Sequence, residues 1–180
     1  YDDLLNKLKS LENKYPDYRF ADSPTQRLSA GISVGFKTVK HHAGMFSLDN
    51  TYSIDELRLW DQRVRKGLGE NRNYKYVVEL KIDGVSANLT YVNRKLTVGA
   101  TRGDGQTGED VTANIKTIRA IPLVLLDEHW VDFLEIRGEV YMDKEDFLKV
   151  NQERTDQGEI LFANPRNATS GSLKLLDSSI

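Results

Sequence analysis

A lysine flanked by two carboxylates is the group in this chain best suited to chemistry. Lys81 ends an apolar run, and Glu79 and Asp83 lie two residues before and after it. If this run is a strand, the three charged side chains share one face. The alternating apolar residues would then point into a core: Tyr76, Val78, Leu80 and Ile82. A lysine amine is a nucleophile once a shielded pocket or a cationic neighbour makes it shed its proton. On this segment alone, the simpler interpretation is an edge strand with a solvated ion-pair face.

The composition narrows the class of protein. The 180 residues are 39% hydrophobic, enough for one core and an appendage, and they include no cysteine for a disulfide, a zinc site or a nucleophile. His41 and His42 are adjacent and only His129 accompanies them, so we predict no metal site on histidine. No apolar run suggests a transmembrane helix or a signal peptide, and we expect a cytoplasmic protein. With a net charge of −2, DNA contacts would depend on local patches or on parts outside this chain.

Apolar periodicity and capping residues predict a mixture of helices and strands. A first helix is predicted over 1–15, where Pro16 ends it, and a second begins at Ser53, which forms a capping box with Glu56. Further helices are predicted over 110–118, from Asp143 to about 155, and from Asn164-Pro165 onward. Strands are predicted over 74–82, 85–91, 96–98 and 133–142, and residues 17–50 are predicted to be irregular. Because the Asn93-Arg94 link is too short for a crossover, the sheet should be mostly antiparallel. In the first helix, Leu4 and Leu5 are predicted to lie in the core.

Residues 103–108 match the G-x-G-x-x-G pattern of dinucleotide-binding folds. The pattern follows a strand, precedes a helix, and has Asp127 and Glu128 about 20 residues later. However, hairpin links predict an antiparallel sheet, and Asp104 inside the loop would repel a pyrophosphate. We therefore favour a glycine-rich turn over a Rossmann dehydrogenase site.

Several short motifs are distributed from the first third of the chain to its end. They are Ser47-Leu48-Asp49-Asn50, Lys81-Ile82-Asp83-Gly84, and the segments 100–105, 107–110, 136–139 and 163–167. The lysine motif matches the K-x-D-G signature of covalent nucleotidyltransferases, which include DNA ligases, RNA ligases and mRNA capping enzymes. In this order and spacing the whole set closely resembles the bacterial NAD-dependent DNA ligases, and the resemblance covers the chain from end to end.

This resemblance implies a reaction. Lys81 would attack the α-phosphorus of NAD, expel nicotinamide mononucleotide (NMN) and retain AMP as a phosphoramidate. The AMP would pass to the 5′-phosphate of a DNA nick, and the 3′-hydroxyl would then displace it to seal the strand. Magnesium would supply part of the charge neutralisation. The parent enzyme would act in DNA replication and repair.

The resemblance also implies residues for the nucleotide pocket. Tyr1 and Asp2 would contact the NMN half of NAD. Ser47 and Leu48 would lie near the adenine base. The Glu79 carboxylate would accept a hydrogen bond from the exocyclic amine of adenine.

Further roles fall on residues after the lysine. Asp83 would orient the lysine or the ribose, and Gly84 would let the backbone approach the ligand. Arg102 would grip ribose or phosphate oxygens, and Glu139 would accept hydrogen bonds from the ribose hydroxyls. The alternative for each charged residue is a surface ion pair, and Arg137 is a same-face partner for Glu139.

The last helix supplies two cations. Arg166 and Lys174 would face the phosphate or the nicked DNA. Lys174 replaces the arginine that the family commonly has, so it keeps the charge but loses the bidentate fork. Residues 167–171 are also more polar than the alanine-rich run of the family.

The resemblance implies an α+β fold with a mostly antiparallel, ATP-grasp-like nucleotidyltransferase core that is incomplete. Residues 1–35 would be a remnant of the N-terminal helical NMN-binding subdomain, and 36–180 the first part of the adenylation domain. The chain starts inside a helix without methionine, and we expect a fragment. Later motifs, the zinc-binding module and the modules that bind DNA would follow Ile180, so zinc is expected only there. The protein would be a monomer, without a membrane partner, unable to seal nicks alone.

Two other functions remain open. One is an ATP-dependent polynucleotide ligase or capping-type enzyme, against which Tyr1, Asp2 and the motif at 47–50 argue. The other is a non-catalytic nucleotide-binding or DNA-binding module, which would bind its ligand reversibly and form no covalent adduct.

Overall fold

The computed structural model describes residues 2–20, 23–26, 35–69, 72–126 and 132–178. Helices in these residues are Asp2–Lys14 (α1), Ile54–Leu68 (α2), Thr112–Thr117 (α3), Lys144–Asp156 (α4) and Pro165–Leu173 (α5), with 3₁₀ turns at Pro16–Tyr18 and Pro24–Gln26. Strands are Thr38–Lys40 (β1), Val85–Val92 (β2), Lys95–Thr101 (β3), Thr107–Glu109 (β4) and Phe133–Val140 (β5). The pairs are antiparallel, in the orders β3-β2-β5 and β1-β4. The predicted α+β class with an antiparallel sheet is confirmed.

The chain divides into two compact units, which are described separately. The first comprises Tyr1–Met45 and Ile82–Ile180, and the second is Phe46–Lys81. In the first unit, one face of the three-stranded sheet and α3 form a hydrophobic core. Its buried members are Ala87, Tyr91, Leu96, Val111, Ile115, Leu123 and Leu173. The second unit has no buried residue among those described.

Local signals predicted several elements correctly. Asn93 and Arg94 have φ of 47° and 68°, the left-handed conformation that lets a two-residue link follow the strand twist. The three predicted helix caps form, through bonds from Glu56 N to Ser53 Oγ (3.2 Å), Asp146 N to Asp143 Oδ1 (2.9 Å) and Asn167 N to Asn164 Oδ1 (2.8 Å). The strand at β1 lies inside the segment that we predicted to be irregular, so that prediction is wrong for these residues.

The prediction of a strand over 74–82 is wrong. The structure gives these residues no regular secondary structure. The side chains predicted to enter a core are exposed to solvent: Tyr76 47%, Val78 94%, Leu80 88% and Ile82 42%. A strand requires a neighbour for its N–H and C=O groups, and no described strand pairs with this segment.

The first helix is confirmed, but its predicted core contact is not. Leu4 is 74% exposed, whereas Leu5 and Leu8 are half-buried. α1 packs on the two 3₁₀ turns near its C-terminal end, where buried Glu12 accepts a hydrogen bond from Thr25. Leu4 is exposed because it lies in the first turn, at the opposite end of the helix. None of the described helices is long and apolar enough to cross a bilayer.

Candidate active site

The predicted site residues fall in both units. The second unit contains Ser47, Leu48, Glu79 and Lys81, and all four side chains are exposed. The first unit contains Asp83, Gly84, Arg102, Glu139, Arg166 and Lys174. Tyr1 and the side chain of Asp2 lie outside the described residues, as do Asp127, Glu128 and His129.

The segment that follows Lys81 is held against β5. Glu139 Oε1 accepts a hydrogen bond from the Gly84 amide at 3.1 Å, and Oε2 accepts one from Ser86 Oγ at 2.8 Å. A Cβ on Gly84 would lie 2.1 Å from the Val140 carbonyl oxygen, so only glycine fits here. Approach of the Gly84 backbone to a ligand stays a prediction; the close approach that the structure shows is to the neighbouring strand β5. The two oxygens of Glu139 thus fix the end of the K-x-D-G motif.

Asp83 brings the motif to the last helix. Its Oδ1 lies 3.4 Å from Nη1 of Arg166, which follows the N-terminal proline of α5. The two side chains are 73% and 58% exposed, so the ion pair is solvated and contributes at most about 1 kcal/mol. A ligand phosphate can therefore replace the carboxylate at little cost.

Lys174 lies at the other end of α5. Its Nζ contacts Glu109 Oε2 on β4, and its amide caps the helix through the Ser170 and Gly171 carbonyls. A cation at a helix C-terminus also interacts favourably with the helix dipole. Glu109 is a partner that sequence reasoning missed, although it lies within the 107–110 motif.

The glycine-rich segment forms a turn, as predicted. Gly103 and Gly105 have φ of 55° and 93°, and Asp104 Oδ1 accepts the amides of Thr107 at 2.7 Å and Gln106 at 2.9 Å. These hydrogen bonds hold the pKa of Asp104 below its usual value. Because the turn joins β3 to β4 in antiparallel surroundings, the structure agrees with the rejection of a Rossmann site.

A buried polar network lies behind this turn and was not found from the sequence. His41 is 5% exposed, and its Nε2 lies 3.1 Å from the Arg102 carbonyl oxygen. Its Nδ1 lies 3.3 Å from Nδ2 of buried Asn88, which also donates to Glu135 Oε1 at 2.9 Å. The only available signal was that Asn88 and Glu135 occupy the polar faces of two predicted strands.

In the second unit, one carboxylate ties the segment before Lys81 to α2. Asp61 Oδ1 accepts hydrogen bonds from the hydroxyls of Tyr76 at 2.7 Å and Tyr74 at 2.9 Å, and Oδ2 accepts one from Arg65 Nε at 2.9 Å. The Tyr76 and Tyr74 hydroxyls and Arg65 lower the pKa of Asp61. Desolvation and the bond to Asp61 raise the pKa of Tyr76. The ring of Trp60 lies 4.9 Å from that of Tyr76.

Family models match almost the whole chain. Residues 33–180 match the NAD-dependent DNA ligase adenylation domain, and residues 1–29 match the DNA ligase-like, N-terminal NAD⁺-binding domain. The chain belongs to the NAD-dependent DNA ligase family.

The curated relatives that this chain resembles are also DNA ligases. The chain is 52% identical over 180 residues to a DNA ligase of Caldicellulosiruptor saccharolyticus, 49% to one of Carboxydothermus hydrogenoformans and 51% to one of Desulforamulus reducens. Each alignment covers 100% of this chain but only 26%, 27% and 26% of the respective relative. The chain therefore spans about a quarter of the length of these ligases.

Proposed function

We propose that Lys81 is the nucleophile of an NAD-dependent DNA ligase. Its deprotonated ε-amine attacks the α-phosphorus of NAD, an N–P bond forms, and the P–O bond to NMN breaks with the electron pair leaving on NMN. The observation that carries this proposal is that the lysine motif is anchored on each side. Asp61 holds the preceding segment through two tyrosine hydroxyls, and Glu139 holds the following amide of Gly84.

The chemistry of the other residues supports nucleotide binding. The carboxylates of Glu79 and Glu139 suit the adenine amine and the ribose hydroxyls, while Arg102 suits ribose or phosphate oxygens. Ser47 and Leu48 are proposed near the base, and Tyr1 and Asp2 at the NMN half. Asp83 orients the amine or the ribose, and Gly84 lets the backbone lie close to the ligand.

We assign Arg166 and Lys174 to the phosphate or to nicked DNA. Both are partly exposed and paired with a carboxylate, Asp83 and Glu109 respectively. Binding of a phosphate would exchange one anionic partner for another, so the charge balance of each pair is preserved. AMP then moves to the 5′-phosphate of the nick, and the 3′-hydroxyl expels it.

The metals are assigned by chemistry. Magnesium usually binds through substrate phosphates, waters and one or two carboxylates, and it would neutralise charge on the transferred group. Within the described ranges no group of three or more His, Cys, Asp or Glu could hold a metal, so magnesium would bind mainly through the NAD phosphates and waters, with at most one or two carboxylates of these residues. Zinc is proposed only for modules outside this chain.

The proposed domain boundary lies near residue 35. Residues 1–35 belong to the NMN-binding subdomain and 36–180 to the adenylation domain, in keeping with family matches over 1–29 and 33–180. The antiparallel sheets support an ATP-grasp-like nucleotidyltransferase core. The proposed enzyme is a cytoplasmic monomer of replication and repair without a membrane partner.

Intact-mass measurement tests the nucleophile and the nucleotide together. The protein is incubated with magnesium and either NAD or ATP, beside Lys81→Ala and Lys75→Ala variants. Lys75 is a matched control because it is an exposed lysine of the same irregular segment. We expect one added AMP from NAD only, in the wild type and in Lys75→Ala but not in Lys81→Ala.

The other outcomes discriminate between functions. An adduct from ATP alone would indicate an ATP-dependent ligase or capping-type enzyme. If a protein extended beyond Ile180 binds NAD reversibly but never gains AMP, the ligase proposal is wrong and a binding module replaces it.

A further inference from the structure

The main chain at Arg102 is fixed from three directions. Its amide donates to the Ser86 carbonyl at 3.2 Å, and its own carbonyl accepts the Gly105 amide at 3.0 Å. His41 Nε2 lies 3.1 Å from the same carbonyl oxygen and comes from a segment that is distant in the sequence. The guanidinium of Arg102 is therefore carried by a backbone that cannot easily shift.

The neighbours of His41 determine its tautomer. Asn88 Nδ2 lies 2.9 Å from Glu135 Oε1 and 3.3 Å from His41 Nδ1. Burial would raise the pKa of Glu135, but the hydrogen bonds from Asn88 and from the His42 amide outweigh it and lower the pKa. An ionised carboxylate only accepts, so the Asn88 amide nitrogen must face it. The second hydrogen of that nitrogen then points to Nδ1, and Nε2 carries the proton that His41 donates to Arg102.

The orientation of the Asn88 side-chain amide leaves one of its own atoms without a partner. Asn88 is 3% exposed, and its Oδ1 has no hydrogen-bond partner within the described part of the chain. A buried acceptor left unpaired is unfavourable, yet turning the amide over would set Oδ1 against the Glu135 carboxylate. The network thus directs both amide hydrogens toward His41 and Glu135, and the result at its far end is a fixed donor to Arg102.

We propose that His41 is a positioning residue of the adenylation site. It acts through its Nε2–H bond to the Arg102 carbonyl, which sets the direction from which the guanidinium reaches the nucleotide. The inference rests on the proposed function, because the contact between Arg102 and NAD is part of that function.

Substituting His41 by Gln or by Asn distinguishes the contribution of Nε2 from that of Nδ1. In His41→Gln, the side-chain amide reaches the position of Nε2 and can donate to Arg102. In His41→Asn, it reaches only the position of Nδ1 and can accept from Asn88. His42→Asn is the control, because His42 is exposed and its main-chain amide, 3.3 Å from Glu135 Oε1, is kept in the variant, so that only an exposed electrostatic contribution of its ring to Glu135 is lost.

The measurement is the affinity of the full-length protein for NAD, by titration calorimetry in a Lys81→Ala background that cannot form the adduct. We expect His41→Asn to weaken NAD binding about tenfold, the equivalent of one lost hydrogen bond. His41→Gln should recover most of that affinity, and His42→Asn should bind as the parent does. Equal losses in the two His41 variants would overturn the proposal.

A double-mutant cycle excludes a purely structural role. If His41 acts through Arg102, the difference between His41→Asn and His41→Gln must vanish in an Arg102→Ala background. A difference that persists there would contradict the proposal even if both variants are less stable. Failure of the proposed function is a distinct result: a full-length protein with Lys81 intact that neither binds NAD nor gains AMP from it would overturn that function and this role with it.

Discussion

The chain is held by different means on the two sides of Lys81. Before the lysine, Tyr74 and Tyr76 reach Asp61 through hydroxyl hydrogen bonds, in a unit without a buried residue among those described. After it, Gly84 is buried against β5 with no room for a Cβ, and Glu139 accepts its amide. Water can replace a hydroxyl at the half-buried Asp61 carboxylate, but it cannot relieve a backbone clash. Substitutions after the lysine should therefore cost more stability than those before it.

The largest effect should come from Gly84→Ala. The new Cβ would lie 2.1 Å from the Val140 carbonyl oxygen, and that oxygen belongs to a paired strand, so the backbone must move. We expect a loss of about 3 kcal/mol in the free energy of unfolding, measured by urea denaturation.

Gly138→Ala is the matched control for this prediction. It lies on the same strand as Val140, and a Cβ there would have no heavy atom within 4 Å. Its free energy of unfolding should change by less than about 0.5 kcal/mol. Equal losses in the two variants would mean that the close approach at Gly84 is unimportant.

The anchor before the lysine should show a smaller and pH-dependent effect. The folded pKa of Asp61 is lowered, chiefly by the Tyr76 and Tyr74 hydroxyls. Its stabilising contribution is therefore complete above the unfolded value of about 3.9 and is lost as pH falls through the lower folded value. Pepsin cleavage within 72–81 should accelerate in the wild type as pH drops below about 4.

Substitution at Asp61 checks the assignment. Asp61→Asn should be cleaved quickly across this range, with no acceleration beyond the pH dependence of pepsin on an unfolded peptide. Asp55→Asn, an exposed carboxylate of the same helix paired with Arg58, should behave as the wild type. If Asp61→Asn keeps the wild-type profile, the carboxylate does not hold the segment.

The contrast between the two sides also explains which features the sequence could predict. The caps at Ser53, Asp143 and Asn164 and the turn at Asn93-Arg94 depend on residues within three positions, and all were predicted correctly. Alternation over 74–82 has the pattern of a strand, but a strand depends on a partner that local residues do not specify.

The site shows the same limit. The K-x-D-G motif is contiguous and identified Lys81 as the candidate nucleophile directly. The support behind Arg102 was missed because it joins His41, Asn88 and Glu135, which are far apart in the sequence. Asn88 and Glu135 meet when β2 and β5 pair, and His41 follows β1, where its amide bonds the Gln106 carbonyl. A buried histidine has no local pattern that separates it from an exposed one such as His42.

The smallest effect on the free energy of unfolding should come from substitution of Arg166, which can therefore test phosphate binding without disturbing the fold. Its 3.4 Å pair with Asp83 is exposed on both sides, so Arg166→Gln should change the free energy of unfolding by less than about 0.5 kcal/mol. Lys149→Gln, which breaks an exposed pair with Asp146 on α4, is the matched control and should cost as little.

The two variants should differ in transfer of AMP to a nicked DNA by the full-length protein. Only Arg166→Gln should slow that step, by about tenfold or more, because a phosphate loses a charge-assisted partner. Equal transfer rates would leave Arg166 as a surface ion pair, and the cation that binds the phosphate would have to be sought elsewhere, with Lys174 the next candidate.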